Sequence, residues 1–257
     1  MTVIDLNCDM GESFGAYQIG MDHLVMPHIT SANIACGWHA GDPMVMDKTV
    51  QLAVEHGVGI GAHPGFPDLL GFGRRNMACT EQEIRHYIIY QIGALAAFCR
   101  VHKVKLSHVK PHGALYLGAV EDETVARAIA AGIMDLDPNL YFVALAGKKG
   151  ETMRRMGEEL GLKVVYEAFP DRAYTPDGTL VSRKQAGAVI SDPDQVAQRA
   201  LDMANGFVIA VDGSTLKLDV QTLCVHGDTL GAVNLVKTIR AVLRANHIEV
   251  CPMGDQS

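Results

Sequence analysis

The sequence predicts an α/β fold, a distorted (β/α)7 TIM-like barrel. Three observations carry that expectation. Short apolar runs alternate with segments of helical period along the chain. Most runs leave through glycine, proline and polar side chains, the end of a barrel strand where chemistry usually sits. An open doubly wound sheet would need a glycine-rich nucleotide turn, and none is written: Gly57, Gly59 and Gly61 do not spell G-x-G-x-x-G, and no G-x-x-x-x-G-K-[ST] occurs.

The first strand is expected over residues 3–8 and ends in Asn7-Cys8-Asp9-Met10-Gly11-Glu12. Alternation puts Asn7 and Asp9 on one face and Cys8 on the other. Asp9 is then a candidate for chemistry or for a turn cap. A second strand, 29–36, exits through Gly37-Trp38-His39-Ala40-Gly41 to Asp42-Pro43, an acceptor and a proline that open a helix ended by Gly57. The third strand, 58–62, is short and glycine-rich and ends at His63-Pro64-Gly65. The loop 66–77 is long enough to be a lid or binding loop, and its Arg74 and Arg75 suit a carboxylate or phosphate. Thr80 to Glu83 reads as a capping box before a helix with Ile84, Ile88, Ile92 and Leu95 on one face.

The fourth strand leads into 109–116, Val-Lys-Pro-His-Gly-Ala-Leu-Tyr, expected as an extended end and a loop before a polar helix. Pro111 biases Lys110 toward an extended conformation, and a spacing of two sets Lys110 and His112 on one face. A helix at 122–134, a strand at 141–146, a helix at 150–160 and a strand at 163–168 follow, the last running into Glu167 to Tyr174. Asp192-Pro193 opens another helix. Residues 207–220 flank Asp212-Gly213 and read as an accessory, structural hairpin. The last core strand, 222–225, ends at His226-Gly227-Asp228, and a closing helix over 230–246 carries Val233, Val236, Ile239 and Leu243 in register. Asp228 is a site residue or that helix's cap. No linker or repeat divides the chain, so one domain is expected over 1–257.

With 257 residues and 48% hydrophobic content, the chain can bury one large core. A net charge of −7 and the lack of a basic stripe argue against nucleic acid. The N-terminus lacks a signal-peptide pattern, and no apolar run approaches the roughly 18 residues of a membrane span. Six cysteines, none in a C-x-x-C pair, point to neither a zinc knuckle nor a disulfide framework. A cytoplasmic protein with no membrane partner is expected.

The strand ends gather Asn7, Asp9, His39, His63, Lys110, His112, Glu167, His226 and Asp228. Carboxylates with histidines suit acid–base chemistry at an acyl or amide carbon, and Lys110 suits an oxyanion. Asp9, His39, His63 and His112 would also suffice for a metal ion, although no H-E-x-x-H marks one. Residues alone lead to a hydrolase or lyase of a small polar substrate.

Five blocks go further: Asp5-Leu-Asn-Cys-Asp-Met-Gly-Glu12, Ala32-Asn-Ile-Ala-Cys-Gly-Trp-His-Ala-Gly-Asp-Pro43, Gly61-Ala-His-Pro-Gly-Phe-Pro-Asp68, Val109-Lys-Pro-His-Gly-Ala-Leu-Tyr116 and Glu167-Ala-Phe-Pro-Asp-Arg-Ala-Tyr174. They resemble the signature blocks of the LamB/YcsF family, the A subunits of 5-oxoprolinase, and the likeness runs on to Val225-His-Gly-Asp228. The resemblance implies a seven-stranded barrel of the glycoside hydrolase/deacetylase type. It implies ATP-dependent opening of the lactam of 5-oxo-L-proline (pyroglutamate) to L-glutamate, together with 5-oxoprolinase subunits B and C. ATP is then a co-substrate expected to act through those partners. Asp9 or Glu167 is expected as general base and His112 as acid. Lys110 and His39 would polarise the carbonyl or its phosphate, and Arg74 or Arg75 would steer the substrate carboxylate. Asn7, Asn33, His63, His226 and Asp228 would line the substrate. The rival readings are a metal-dependent deacetylase-like hydrolase and a non-catalytic subunit that positions its partners.

Overall fold

Strand β1 (Val3–Met10) sets the pattern of the barrel. Ile4, Leu6, Cys8 and Met10 join the apolar core, whereas Asp5, Asn7 and Asp9 point the other way and are equally buried. The computed structural model describes residues 2–226 and 231–254. After β1 come α1 (Asp22–Val25), β2 (Ser31–Ala35), α2 (Pro43–His56), β3 (Gly59–His63), α3 (Glu81–Val101), β4 (Leu106–Val109), α4 (Gly113–Glu121) and α5 (Glu123–Leu136). The second half holds β5 (Tyr141–Leu145), α6 (Glu151–Glu159), β6 (Lys163–Ala168), α7 (Pro193–Ala204), β7 (Phe207–Ile209), β8 (Thr215–Lys217), β9 (Thr222–His226), α8 (Ala232–Ala245) and β10 (Glu249–Val250).

The strands β1-β2-β3-β4-β5-β6-β9 pair in that order, and β9 pairs back to β1, all in parallel. This is the closed barrel the sequence predicts. Its seams β4–β5 and β6–β9 hold only two residue pairs each, which is where it is distorted. Strand β10, unforeseen from sequence, pairs with Val3 and Ile4 on the edge of β1 that β9 occupies from Asp5 onward. It is too short for a periodic signal. Strands β7 and β8 form an antiparallel hairpin between α7 and β9, outside the barrel wall.

The helices start where their caps place them. Asp42 accepts from the amides of Met44 and Val45 ahead of Pro43, Asp192 accepts from Gln195, and Thr80 with Glu83 closes a capping box. Residues 110–121 depart from expectation. Helix α4 begins at Gly113, so the segment expected as loop is already helical, and it is apolar rather than polar, burying Ala114, Leu115, Tyr116 and Ala119.

The barrel interior is polar, unlike the branched aliphatic filling usual for such barrels. Asn7 Nδ2 donates to Glu167 Oε1 at 3.1 Å, across to β6, which does not neighbour β1. Thr30, Ser31 and Thr222 all donate to the Asp5 carboxylate. Burial nevertheless pushes Asp5 up to about 6. Asn33 Nδ2 donates to Asn7 Oδ1 and Asp9 Oδ1, and its own Oδ1 lies 2.8 Å from His108 Nε2. Burial keeps His108 neutral, with its pKa lowered to about 3.

The His108 ring fits because β3 has glycine opposite it. A Cβ on Gly61 would stand 2.0 Å from His108 Nε2, inside the ring's own volume. Gly61→Ala is therefore expected to expel the imidazole and break its bond to Asn33. Overpacking of about 1–3 kcal/mol adds to about 1–3 kcal/mol for the stranded polar group. A denaturant midpoint equal to that of the wild type would refute this account of the barrel's centre.

Candidate active site

Lys110 leaves the end of β4 and crosses the mouth of the barrel. Its Nζ donates to Asp9 Oδ1 at 2.7 Å and to Cys224 Sγ at 2.9 Å, and lies 3.2 Å from Glu167 Oε1. One ammonium thus joins β1, β6 and β9. All four groups are buried. Burial opposes the charge on Lys110, but Asp9 first of all overcomes it and holds the ammonium well above its ordinary value.

Two carboxylates around one lysine do not ionise alike. Burial lifts Asp9, but His63 and Lys110 outweigh it, so Asp9 stays ionised well below the usual carboxylate range. Burial and the charge of Asp9 raise Glu167, against the opposing pull of Lys110 and the Asn7 bond. A pair driven apart in this way is the arrangement that assigns a base and an acid. Glu167 Oε2 and the Tyr116 hydroxyl are both buried without a hydrogen-bond partner. Burial and then the charge of Glu167 push the Tyr116 phenol up, which marks the two as neighbours.

Beside this triad lies a histidine cluster. His63 Nδ1 is 2.7 Å from the Lys110 carbonyl oxygen, and His63 Nε2 is 2.9 Å from His112 Nδ1 and 3.3 Å from Asp9 Oδ2. His112 Nε2 is 2.8 Å from the Phe72 carbonyl oxygen. His39 stacks on His112 with ring centroids 3.8 Å apart, and Glu12 Oε1 lies 3.7 Å from His39 Nε2. Burial, with the neighbouring rings, holds His39 and His112 well below the ordinary imidazole value.

That geometry corrects the expectation of His112 as the proton donor. A carbonyl only accepts, so Nε2–H is spent on Phe72, and the neutral ring keeps only a lone pair at Nδ1. Arg75 is also reassigned. Its guanidinium pairs with Asp68, through Nε at 2.9 Å and through Nη2, and braces the loop rather than reaching inward. Asp68 Oδ1 and its carbonyl also accept from the amides of Gly71 and Gly73. The braced loop closes over the histidines: Gly73, at φ +63°, accepts from the Ala114 amide, and a Cβ on it would come within 2.7 Å of His39. Arg74, exposed on the same loop, lies over the Phe72 ring.

His226 accompanies the site at one side. Its Nδ1 is 2.7 Å from Asp171 Oδ2, and its ring stacks near Phe169. Asp228 lies outside the described residues. Burial first of all raises the Cys224 thiol far above its ordinary value and Cys36 to about 12. Three site residues are not singled out by the sequence pattern: Glu12, Asp171 and Tyr116. Each stands in one of the five family blocks, but in a turn or on a helix, where period-two alternation gives no facing. A surface depression of about 460 Å³ lined by His28, Lys237, Arg240 and Arg244 contains none of these residues and sits toward the far end of α8.

Known proteins are similar to this chain in sequence and fold. The family model described as LamB/YcsF matches residues 4–257. The A subunit of 5-oxoprolinase from Pyrococcus abyssi is 53% identical over 98% of each chain. Its counterpart from Natranaerobius thermophilus is 56% identical, covering 99% of this chain and 98% of its own. The crystal structure of a lactam utilization protein from Thermus thermophilus superposes with a TM-score of 0.91 at 45% identity, covering 98% of this chain and all of that one. A peptidoglycan N-acetylglucosamine deacetylase domain from Eubacterium rectale shares the fold at a TM-score of 0.52 and 12% identity, over 100% of this chain and 90% of that one. No helix among the described residues is long and apolar enough to cross a membrane.

Proposed function

The chain belongs to the LamB/YcsF family, and from that premise we propose that it is the lactam-opening subunit of an ATP-dependent 5-oxoprolinase. It acts with subunits B and C in the cytoplasm and converts 5-oxo-L-proline to L-glutamate while ATP becomes ADP and phosphate. The observation that carries the chemistry is the buried Asp9–Lys110–Glu167 triad, with one carboxyl ionised and the other driven toward its protonated form.

An unactivated five-membered lactam is a poor electrophile. The partners use ATP to phosphorylate the lactam oxygen, giving an imidate phosphate and ADP and releasing the lactam N–H proton. Asp9 takes a proton from water as it adds to the imidate carbon. Glu167 protonates the nitrogen; as the carbon–nitrogen bond breaks, Asp9 passes its proton to the departing amine and the intermediate's hydroxyl returns a proton to Glu167, and a second water hydrolyses the resulting acyl phosphate to glutamate and phosphate. Lys110 holds both carboxyls in register and offsets charge growing on the substrate oxygen. Arg74 meets the substrate carboxylate or the phosphate, and Asn7 and Asn33 fix the two acids in place.

The decisive experiment assays ATP- and 5-oxoproline-dependent glutamate release from this chain alone, from subunits B and C alone, and from all three together. Activity is expected only in the complete mixture. Full activity from B and C without this chain would end the catalytic reading.

A further inference from the structure

Beside the carboxyl–lysine triad, three buried histidines and Glu12 form a second constellation that proton transfer does not require. Backbone carbonyls fix the tautomers of two of the rings. His63 Nδ1 must carry the proton it gives to the Lys110 oxygen, and His112 Nε2 the proton it gives to Phe72. The remaining nitrogens, His63 Nε2 and His112 Nδ1, then face each other at 2.9 Å. In neutral rings both present lone pairs, which repel at that distance. A cation between them removes the repulsion, and that cation is either a proton or a metal ion.

A proton on His63 Nε2 serves His112 Nδ1 and, at 3.3 Å, Asp9 Oδ2. It leaves His39, fully buried, with neither ring nitrogen hydrogen-bonded. It also does nothing for the approach of Glu12 Oε1 to His112 Nδ1 at 3.8 Å and to His39 Nε2 at 3.7 Å. One donor atom from each of Glu12, His39, His63 and His112 lies within 4.8 Å of the other three.

We propose that Glu12, His39, His63 and His112 form a binding site for one first-row divalent cation, Zn²⁺ foremost. Three imidazoles and a carboxylate are the donor set such an ion takes. The carbonyls of Lys110 and Phe72 orient two of the rings from behind, as outer partners of metal-binding histidines do. The set differs from the one expected from sequence. Glu12 takes the place of Asp9, whose Oδ1 is engaged by Lys110 and Asn33. His39 has the most to move, because its ring stacks parallel to His112. A bound cation supplies Lewis-acid polarisation of a carbonyl or water oxygen next to Asp9. The inference rests on the histidine geometry and not on the lactam reading.

The test uses the whole chain, stripped with chelator and titrated separately with Zn²⁺ and Co²⁺. About one equivalent per chain should survive desalting by elemental analysis, visible Co²⁺ bands should develop, and Zn²⁺ should raise the melting temperature. Glu12→Gln and His112→Gln should each weaken binding by about tenfold or more. His102→Gln, a ring paired with Asp47 on the outer surface, should change nothing. If His112→Gln does not fold, Glu12→Gln alone carries the comparison. Absence of retained metal, Co²⁺ bands and thermal shift would leave a shared proton and overturn the site, as would wild-type binding in Glu12→Gln. No turnover is measured, so failure here leaves the proposed reaction standing, and failure of that reaction leaves this site standing.

Discussion

Lys110→Met is expected to damage both the fold and the reaction, more than any other single change at the mouth. Methionine keeps much of the stem's volume and removes the ammonium. Asp9 and Glu167 are then left facing each other with their shared cation gone. Breaking a buried ion pair from one side costs about 3–5 kcal/mol, because the stranded charges have no water to turn to. The loss should depend on pH. Without the lysine both folded-state carboxyl pKa values rise, so the folded state holds protons that the unfolded chain has released. Stability then falls as pH rises through that window and recovers as pH is lowered. The deficit should therefore be largest at neutral pH and shrink in acid. Glutamate formation by the complete mixture should drop by about 10²–10³-fold or more, the size of a lost oxyanion partner. A variant that unfolds at the wild-type midpoint and retains its turnover would show that the lysine is neither keystone nor catalyst.

Much of this site was legible because β-strand alternation is rigid. Asp5, Asn7 and Asp9 alternate along one strand, so a polar inner face follows from spacing alone once the strand is recognised. Lys110 and His112 follow in the same way from Pro111 and a spacing of two. The start of α4 was not legible, since its buried residues Ala114, Leu115, Tyr116 and Ala119 leave no polar stripe to reveal the helical period. The role of His112 was also hidden. The Phe72 carbonyl, 40 residues away in the chain, decides which of its nitrogens is bare. Arg74 and Arg75 are adjacent and alike in sequence, and only the folded structure shows Arg75 bound to the Asp68 carboxylate while Arg74 lies over the Phe72 ring. In each case the missing information is a tertiary contact made by a loop.

Glu167→Gln is expected to separate function from stability. Glutamine keeps an acceptor oxygen for Asn7 and Lys110 and nearly the same volume, so the barrel should close as before. It cannot give up a proton. If Glu167 protonates the departing nitrogen, activity in the complete mixture should fall by about 10²–10⁴-fold, the usual worth of a positioned acid. Stability should move the other way. Burial and Asp9 raise the folded-state pKa of Glu167 above 4.5. The folded protein therefore binds a proton in the window between 4.5 and that raised value, and wild-type stability declines as pH climbs through it. Glutamine removes that decline. The variant should match the wild type in acid, where Glu167 is protonated anyway, and melt higher above the window. A fall in activity accompanied by a loss of stability at every pH would point to a structural carboxylate. Retained activity would return the proton to another donor, and Tyr116, whose hydroxyl is buried without a hydrogen-bond partner, would be the next residue to test.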